Sequence, residues 1–203
     1  MAKRLAHLAD EGPVVVLGLA RGGMPVAAEV ARALAARLDV CVVRKLGVPG
    51  QEELAMGAIG SGEVQVLNRE LLDRLELAQR DLEAVVRRER AELARREQAY
   101  RGGREPLDCS GAYVVVVDDG LATGSSMHAA VRAIRARRPA RVIVAVPVGS
   151  PEACDSLRAV AEEVVCLHTP RRLGGVSAWY ADFHPVGDEE VRAALAGGAQ
   201  ERR

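Results

Sequence analysis

Aromatic residues are scarce in this 203-residue chain: it holds one Trp, three Tyr and one Phe, 2% of the total. Cysteine is also sparse. Cys41, Cys109, Cys154 and Cys166 are scattered, with no CxxC pair and no histidine at ligand spacing, which argues for reduced thiols against a metal site or a disulfide framework. Charge of one sign is missing as well, since 28 Lys and Arg balance 28 Asp and Glu. A net charge of zero argues against a sequence-independent nucleic-acid binder, which needs a broad cationic surface. Long apolar runs are absent: "VIVAVPV" (142 to 148) falls far short of the roughly 20 residues that span a bilayer. The opening "MAKRLAHLADEGP" has basic residues without the apolar stretch of a signal peptide. These absences describe a cytoplasmic protein with no membrane partner. No internal repeat or low-complexity segment is present.

What is there is ordinary for a globular chain, with 49% hydrophobic and 28% charged residues in a length that suits one domain or one domain with a subdomain. Short β-branched runs alternate with alanine-rich helical stretches. "PVVVLGL" (13 to 19) reads as a buried strand, followed by the helix "PVAAEVARALAARL", with Pro25 in its first turn. "DVCVVRK" (39 to 45), "YVVVVDD" (113 to 119), "ARVIVAVPV" (140 to 148) and "EVVCLH" (163 to 168) are further strands, with helices at about 124 to 137 and 151 to 161. Continuous apolar strands alternating with helices predict a three-layer α/β/α fold around a mainly parallel sheet. Ligands of such folds lie at the carboxyl ends of the strands, which is where the glycines fall.

The middle breaks that rhythm. "MGAIGSGEVQVLN" (56 to 68) predicts a hairpin turning at Gly60-Ser61-Gly62. One long helix is expected from about Arg69 to Tyr100, with Leu71, Leu75, Ala78, Leu82, Val86 and Leu93 on one face. The pairs Glu70/Arg74, Glu76/Arg80, Glu83/Arg87 and Glu92/Arg96 support it at i,i+4 spacing and mark a solvated face. A core over 1–168 with an insertion at about 47–110, a C-terminal hood over 169–196 and a disordered tail over 197–203 complete the expected organisation.

The chemistry concentrates in "VVVVDDGLATGSSM" (114 to 127). Thr123-Gly124-Ser125-Ser126 opens a helix, where free backbone N–H groups and hydroxyls make a phosphate site. It is neither a P-loop nor a GxGxxG turn, and a simple helix cap is the plainer alternative. Asp118 and Asp119 stand at the strand end, where ionised carboxylates accept hydrogen bonds from a sugar diol or hold a divalent cation. In a regular strand their side chains would diverge, so the chain must bend for both to reach one ligand.

This order of parts resembles the phosphoribosyl-pyrophosphate (PRPP) motif of type I phosphoribosyltransferases. The resemblance implies that Asp118 and Asp119 take the ribose 2′ and 3′ hydroxyls and that Ala122, Thr123, Gly124, Ser125 and Ser126 wrap the 5′-phosphate. "GLARGGMPVA" (18 to 27) is similar to the family's pyrophosphate loop, with charge from Arg21, backbone approach at Gly22 and Gly23, and a cis Ala20–Arg21 peptide implied. "VVRKLGVPGQEE" (42 to 53) resembles the strand before the family's mobile catalytic loop. By that likeness Lys45, with Arg44, meets the pyrophosphate, and residues 47 to 55 close over the site. Arg44 as a surface ion-pair residue is the alternative.

"LGGVSAWYADFHPVGDEEV" (173 to 191) is similar to the family's base-recognising hood. Trp179, Tyr180 and Phe183 either stack on a heterocycle or pin the hood to the core. Asp182 is loosely similar to an aspartate of the hypoxanthine-type enzymes that helps hold pyrophosphate and metal. The whole pattern looks like a bacterial group of phosphoribosyltransferases with no assigned base. One departure matters: the residue before Thr-Gly is Ala122, where hypoxanthine-type enzymes carry an acid, so the obvious base catalyst for a 6-oxopurine is missing. The resemblance implies one antiparallel edge strand and Mg²⁺-dependent phosphoribosyl transfer from PRPP to a nitrogenous base. Asp118 and Asp119, with Asp182, are the implied metal ligands, and Lys45, Arg21 and Asp119 the catalytic residues. A PRPP-binding regulator and a PRPP hydrolase are the rival readings, and the long helix offers a face for a homodimer.

Overall fold

A computed structural model describes residues 1–62, 64–75 and 77–200. Five parallel strands form the central sheet: β1 (Val14–Leu19), β2 (Arg37–Cys41), β6 (Tyr113–Val117), β7 (Arg141–Val148) and β8 (Glu163–His168), in the order β2-β1-β6-β7-β8. Alternation along β6 shows why the valine run suits the sheet's middle. Val114 and Val116 join a core with Met127, Val131 and Ile134 of helix α5 (Ser125–Arg135) and Leu157 of α6 (Pro151–Arg158). Val115 and Val117 join the opposite core with Ala27 and Val30 of α2 (Gly23–Ala33) and with Leu5 of the N-terminal helix α1 (Ala2–Leu5). A strand buried on both faces needs apolar residues at every position, so the parallel sheet takes a continuous run where a half-exposed one would alternate. All four cysteines are buried free thiols, and burial pushes the Cys41 thiol up to about 12.

The predicted second strand is two strands. β2 leaves the central sheet after Cys41, and β3 (Val43–Val48) enters a separate antiparallel sheet with β4 (Gln51–Gly60) and β5 (Val64–Leu67), in the order β3-β4-β5. The one antiparallel edge strand that the resemblance implied is not part of the parallel sheet; antiparallel pairing falls in this separate sheet, which takes in the 56–68 hairpin. The 56–68 hairpin stands as expected. Residues 47–55, expected as a loop, instead form the β3–β4 hairpin, turning at Gly50 with φ 79°. A bulge falls at Leu46–Val48.

The single long helix is also divided, into α3 (Arg69–Leu75) and α4 (Gln79–Arg101). Asn68 Oδ1 caps α3 by accepting from Leu71 N at 3.1 Å. Ala78 is extended (ψ 136°), so Leu77 can turn onto the apolar cluster that α4 shares with the antiparallel sheet. Gly102, left-handed at φ 59°, stops α4 and donates to the Gln98 carbonyl. The 70/74, 83/87 and 92/96 ion pairs form, while Glu76 of the 76/80 pair lies outside the described residues. Helix α7 (Asp188–Gln200) carries residues 197–200, which were expected in a disordered tail; 201–203 lie outside the described residues. Among the described residues no helix is long and apolar enough to cross a membrane.

One buried network ties these layers together. Asp39 of β2 accepts from Arg101 Nε (2.9 Å), Val40 N (2.7 Å) and Leu107 N (2.9 Å). Arg101 also donates to Glu97 (2.6 Å), the Val40 carbonyl (2.6 Å) and Ser61 of the β4–β5 turn (3.4 Å). Both charges are buried, and a pair removed from water persists only when its remaining hydrogen-bonding groups are satisfied, as these are.

Candidate active site

The parallel strands bring two helix N-termini to one end of the sheet. β1 leads through Ala20–Arg21, a cis peptide, into α2, and β6 leads through 118–124 into α5. Neither N-cap residue, Gly22 or Gly124, caps its helix with a side chain; Met24 N donates to the Arg21 carbonyl (3.1 Å) and Ser125 N to Thr123 Oγ1 (3.4 Å), and the other N–H groups of the two first turns suit an anion. Gly124, left-handed at φ 74°, turns the chain into α5 and packs against Ala153. The loop sorts its residues by side: Leu121, Gly124 and Met127 are buried, whereas Ala122, Thr123, Ser125 and Ser126 face outward. Its shape is held from behind, because Leu121 N donates to the Val148 carbonyl (2.9 Å) and Ser150 Oγ to the Ala122 carbonyl (2.9 Å). Ser150 also caps α6.

β6 ends at Val117 and the chain bends at Asp119. Asp119 N donates to Asp118 Oδ1 at 2.9 Å. The RGG turn is pressed onto this bend. A Cβ on Gly22 would overlap Asp119 Oδ2, and one on Gly23 would lie 2.5 Å from the Val117 carbonyl oxygen and 2.8 Å from Asp118 Cα. At Gly23 the close approach is to fixed backbone and needs glycine; at Gly22 it is to a carboxylate that can rotate only by leaving its place. Burial, and then the charge of its neighbour, pushes the Asp118 carboxyl well above the ordinary carboxylate range; burial also raises Asp119. Among the described residues neither acid has an ion-pair partner.

The two acids open on different sides. Asp118 lines a cavity of about 120 Å³ with Lys45, Val43, Ala20 and Ser126. Asp119 lines one of about 420 Å³ with Arg21, Gly22, Pro25, Tyr180 and Phe183. Strand alternation separates the basic pair in the same way. Lys45 faces the site, while Arg44 points to α4 and pairs with the buried Glu89 (2.8 Å from Nε, 2.5 Å from Nη2). Arg44 therefore has the ion-pair role, away from Asp118. Arg21 leans toward Asp188 at the start of α7, 3.5 Å away.

Residues 1–176 match the sequence profile of the phosphoribosyl transferase domain. The chain belongs to the type I phosphoribosyl transferase family. Two Mycobacterium tuberculosis proteins, provisionally named phosphoribosyl transferases, are each 46% identical over 195 residues. That match covers 96% of this chain and 44% of theirs, so this chain spans less than half the length of those relatives. The crystal structure of TT1426 from Thermus thermophilus is 48% identical, with a TM-score of 0.87, over 96% of this chain and 91% of that one.

Against that family pattern the hood divides. Tyr180 and Phe183 are neighbours (ring centroids 5.2 Å apart) and line the larger cavity with Asp182. Trp179 is absent from that lining: it stacks on His168 (6.0 Å, 23°) and donates to the Leu173 carbonyl at 3.1 Å. The three aromatics therefore serve two places, Tyr180 and Phe183 at the cavity and Trp179 against His168. Asp182 is largely exposed and sits 3.4 Å from His184, which Glu190 holds on its other side at 2.9 Å. Those carboxylates, Glu190 first, raise the His184 imidazole above its ordinary value.

Phosphoribosyl transferases generally work with Mg²⁺, and the acidic pair fits such an ion. Among the described residues no group of three or more His, Cys, Asp or Glu side chains is placed to hold a metal. Mg²⁺, however, commonly uses one or two carboxylates and completes its shell with water and substrate phosphates. Two unpaired, partly buried carboxylates with raised pKa values are the donors that such an ion would relieve. Residue-by-residue reading missed Ser150, the Arg21–Asp188 contact and the link of Tyr180 to the acidic bend. Each joins segments far apart in sequence, and only the "SP" cap signal at Ser150-Pro151 was visible locally.

Proposed function

We propose that this chain transfers the 5-phosphoribosyl group of PRPP to a nitrogenous acceptor and releases pyrophosphate. The observation that carries the reading is the meeting, at one sheet end, of an uncapped helix start bearing exposed hydroxyls, a bent acidic pair and a glycine turn bearing Arg21. The 5′-phosphate suits the Ala122 to Ser126 loop, and the ribose hydroxyls suit Asp118 and Asp119. The diphosphate suits Arg21, the Gly22 and Gly23 amides, and Lys45 across the smaller cavity. The acceptor fits the larger cavity, whose volume of about 420 Å³ is within the range of small-molecule sites.

In the reaction the bond from C1′ to the diphosphate oxygen breaks as the bond from C1′ to the acceptor nitrogen forms; the electron pair leaves with the diphosphate, and a proton on that nitrogen passes to solvent water. Negative charge grows on the departing diphosphate, where Arg21, Lys45 and the turn amides stabilise it. Mg²⁺ held by Asp118 and Asp119 would add charge neutralisation at the diphosphate. Ala122 carries no proton-transferring group, which favours acceptors that need none from this loop. Incubation with PRPP, Mg²⁺ and a panel of bases tests the reading through pyrophosphate release. Base-dependent release is expected. Base-independent release identifies a hydrolase, and saturable PRPP binding without release identifies a regulator.

A further inference from the structure

The acidic bend stands beyond the last residue of β6, so the peptide groups of Asp119 lack ladder partners in the sheet. Side chains hold both of them. The Asp119 N–H donates to Asp118 Oδ1, and its carbonyl accepts from Tyr180 Oη at 2.6 Å, a bond between residues 61 apart in sequence. Nothing else fixes that carbonyl among the described hydrogen bonds. The hood also packs on the bend at the next residue, where a Cβ on Gly120 would lie 2.7 Å from Val176 Cγ1. Phe183 leans on the Tyr180 ring. A phenol is protonated in the neutral range, so Tyr180 is the donor in this bond.

We propose that Tyr180 is a positioning residue: through the Asp119 carbonyl it sets the direction from which the Asp119 carboxylate meets a ribose hydroxyl. The inference rests on the ribose reading of the acidic pair. With its main chain gripped at both ends, Asp119 keeps its carboxylate beside Gly22 and facing the larger cavity. The hood thereby acts on the sugar site as well as enclosing the acceptor cavity, and Tyr180 joins the two.

The test is calorimetric binding of ribose 5-phosphate and of inorganic phosphate to the unaltered chain, Tyr180→Phe, Asp119→Ala and the double variant. Tyr180→Phe keeps the ring and removes only the hydroxyl. It is expected to weaken ribose 5-phosphate roughly five- to tenfold, the scale of one hydrogen bond, and to leave inorganic phosphate unchanged. In the Asp119→Ala background the Tyr180 substitution is expected to have no further effect. Equal weakening of both ligands, or the same factor with and without the Asp119 side chain, overturns the positioning role in favour of a general packing role. If the unaltered chain binds phosphate but not ribose 5-phosphate, the ribose reading itself fails and the inference goes with it.

Discussion

Gly22→Ala separates ligand binding from folding at the acidic bend. Gly22 has φ −58° and ψ −33°, a conformation alanine adopts freely, at the start of α2. Removing glycine's freedom from the unfolded chain favours the fold by about 0.4–1 kcal/mol. The new Cβ, however, overlaps Asp119 Oδ2 and lies 2.9 Å from Asp119 Cγ, atoms at the end of a rotatable side chain. The carboxylate turns away, so stability should stay within about 1 kcal/mol of the parent. The ligand then loses a charge-assisted hydrogen bond, about 1.5–3 kcal/mol, or roughly 10- to 150-fold in affinity. Gly23→Ala is the contrast. Its Cβ meets the Val117 carbonyl and Asp118 Cα, backbone atoms that cannot rotate aside. The cost there is to the fold, about 1–3 kcal/mol of overpacking. Urea unfolding measures one quantity and calorimetry of PRPP with Mg²⁺ the other. Unchanged PRPP affinity in Gly22→Ala, or a loss of stability as large as that of Gly23→Ala, would refute the assignment of Asp119 to the ligand.

Asp39→Ala leaves Arg101 buried without its carboxylate and strips acceptors from Val40 N and Leu107 N, so urea unfolding should show a loss of about 3–5 kcal/mol. Asp118→Asn should stabilise the ligand-free chain, with an advantage that depends on pH. The folded carboxyl is raised above its unfolded value near 3.8, so it favours the fold below that pH and loses this contribution as pH rises through the folded value. The difference in melting temperature between Asp118→Asn and the parent should therefore be small near pH 3 and grow toward neutrality; a constant or shrinking difference contradicts the burial argument. Arg44→Ala and Lys45→Ala should part company. The first exposes the loss at Glu89 as about 1–2 kcal/mol in unfolding, softened by Arg88 at 3.0 Å. The second leaves the Arg44–Glu89 pair in place and should slow pyrophosphate release, and the opposite pattern would reverse the assignment of the two side chains.

Much of the parallel core was legible because its code is local. Four valines in a row can be satisfied only where both faces are covered, and β6 is covered on both. The hairpin turn at 60–62 was equally local. The helix from Arg69 to Tyr100 was misread as one piece because its apolar spacing continues across Ala78, while the break answers to packing on the antiparallel sheet. Residues 39–45 look like one uninterrupted strand, yet the chain changes sheets at Val42, which no neighbour in sequence announces.

The acidic pair, the hydroxyl-bearing helix start and the glycine turn follow from the amino-acid sequence alone, since each functions through adjacent residues and the backbone between them. Tertiary structure decided direction. It turned Lys45 toward the site and Arg44 toward Glu89, opened Asp118 and Asp119 into different cavities, sent Trp179 to His168, and brought Tyr180 to the Asp119 carbonyl. Those outcomes depend on which face of a strand or hood a distant element covers. A side chain's type is written at its own position, but its partner is chosen by packing across the fold.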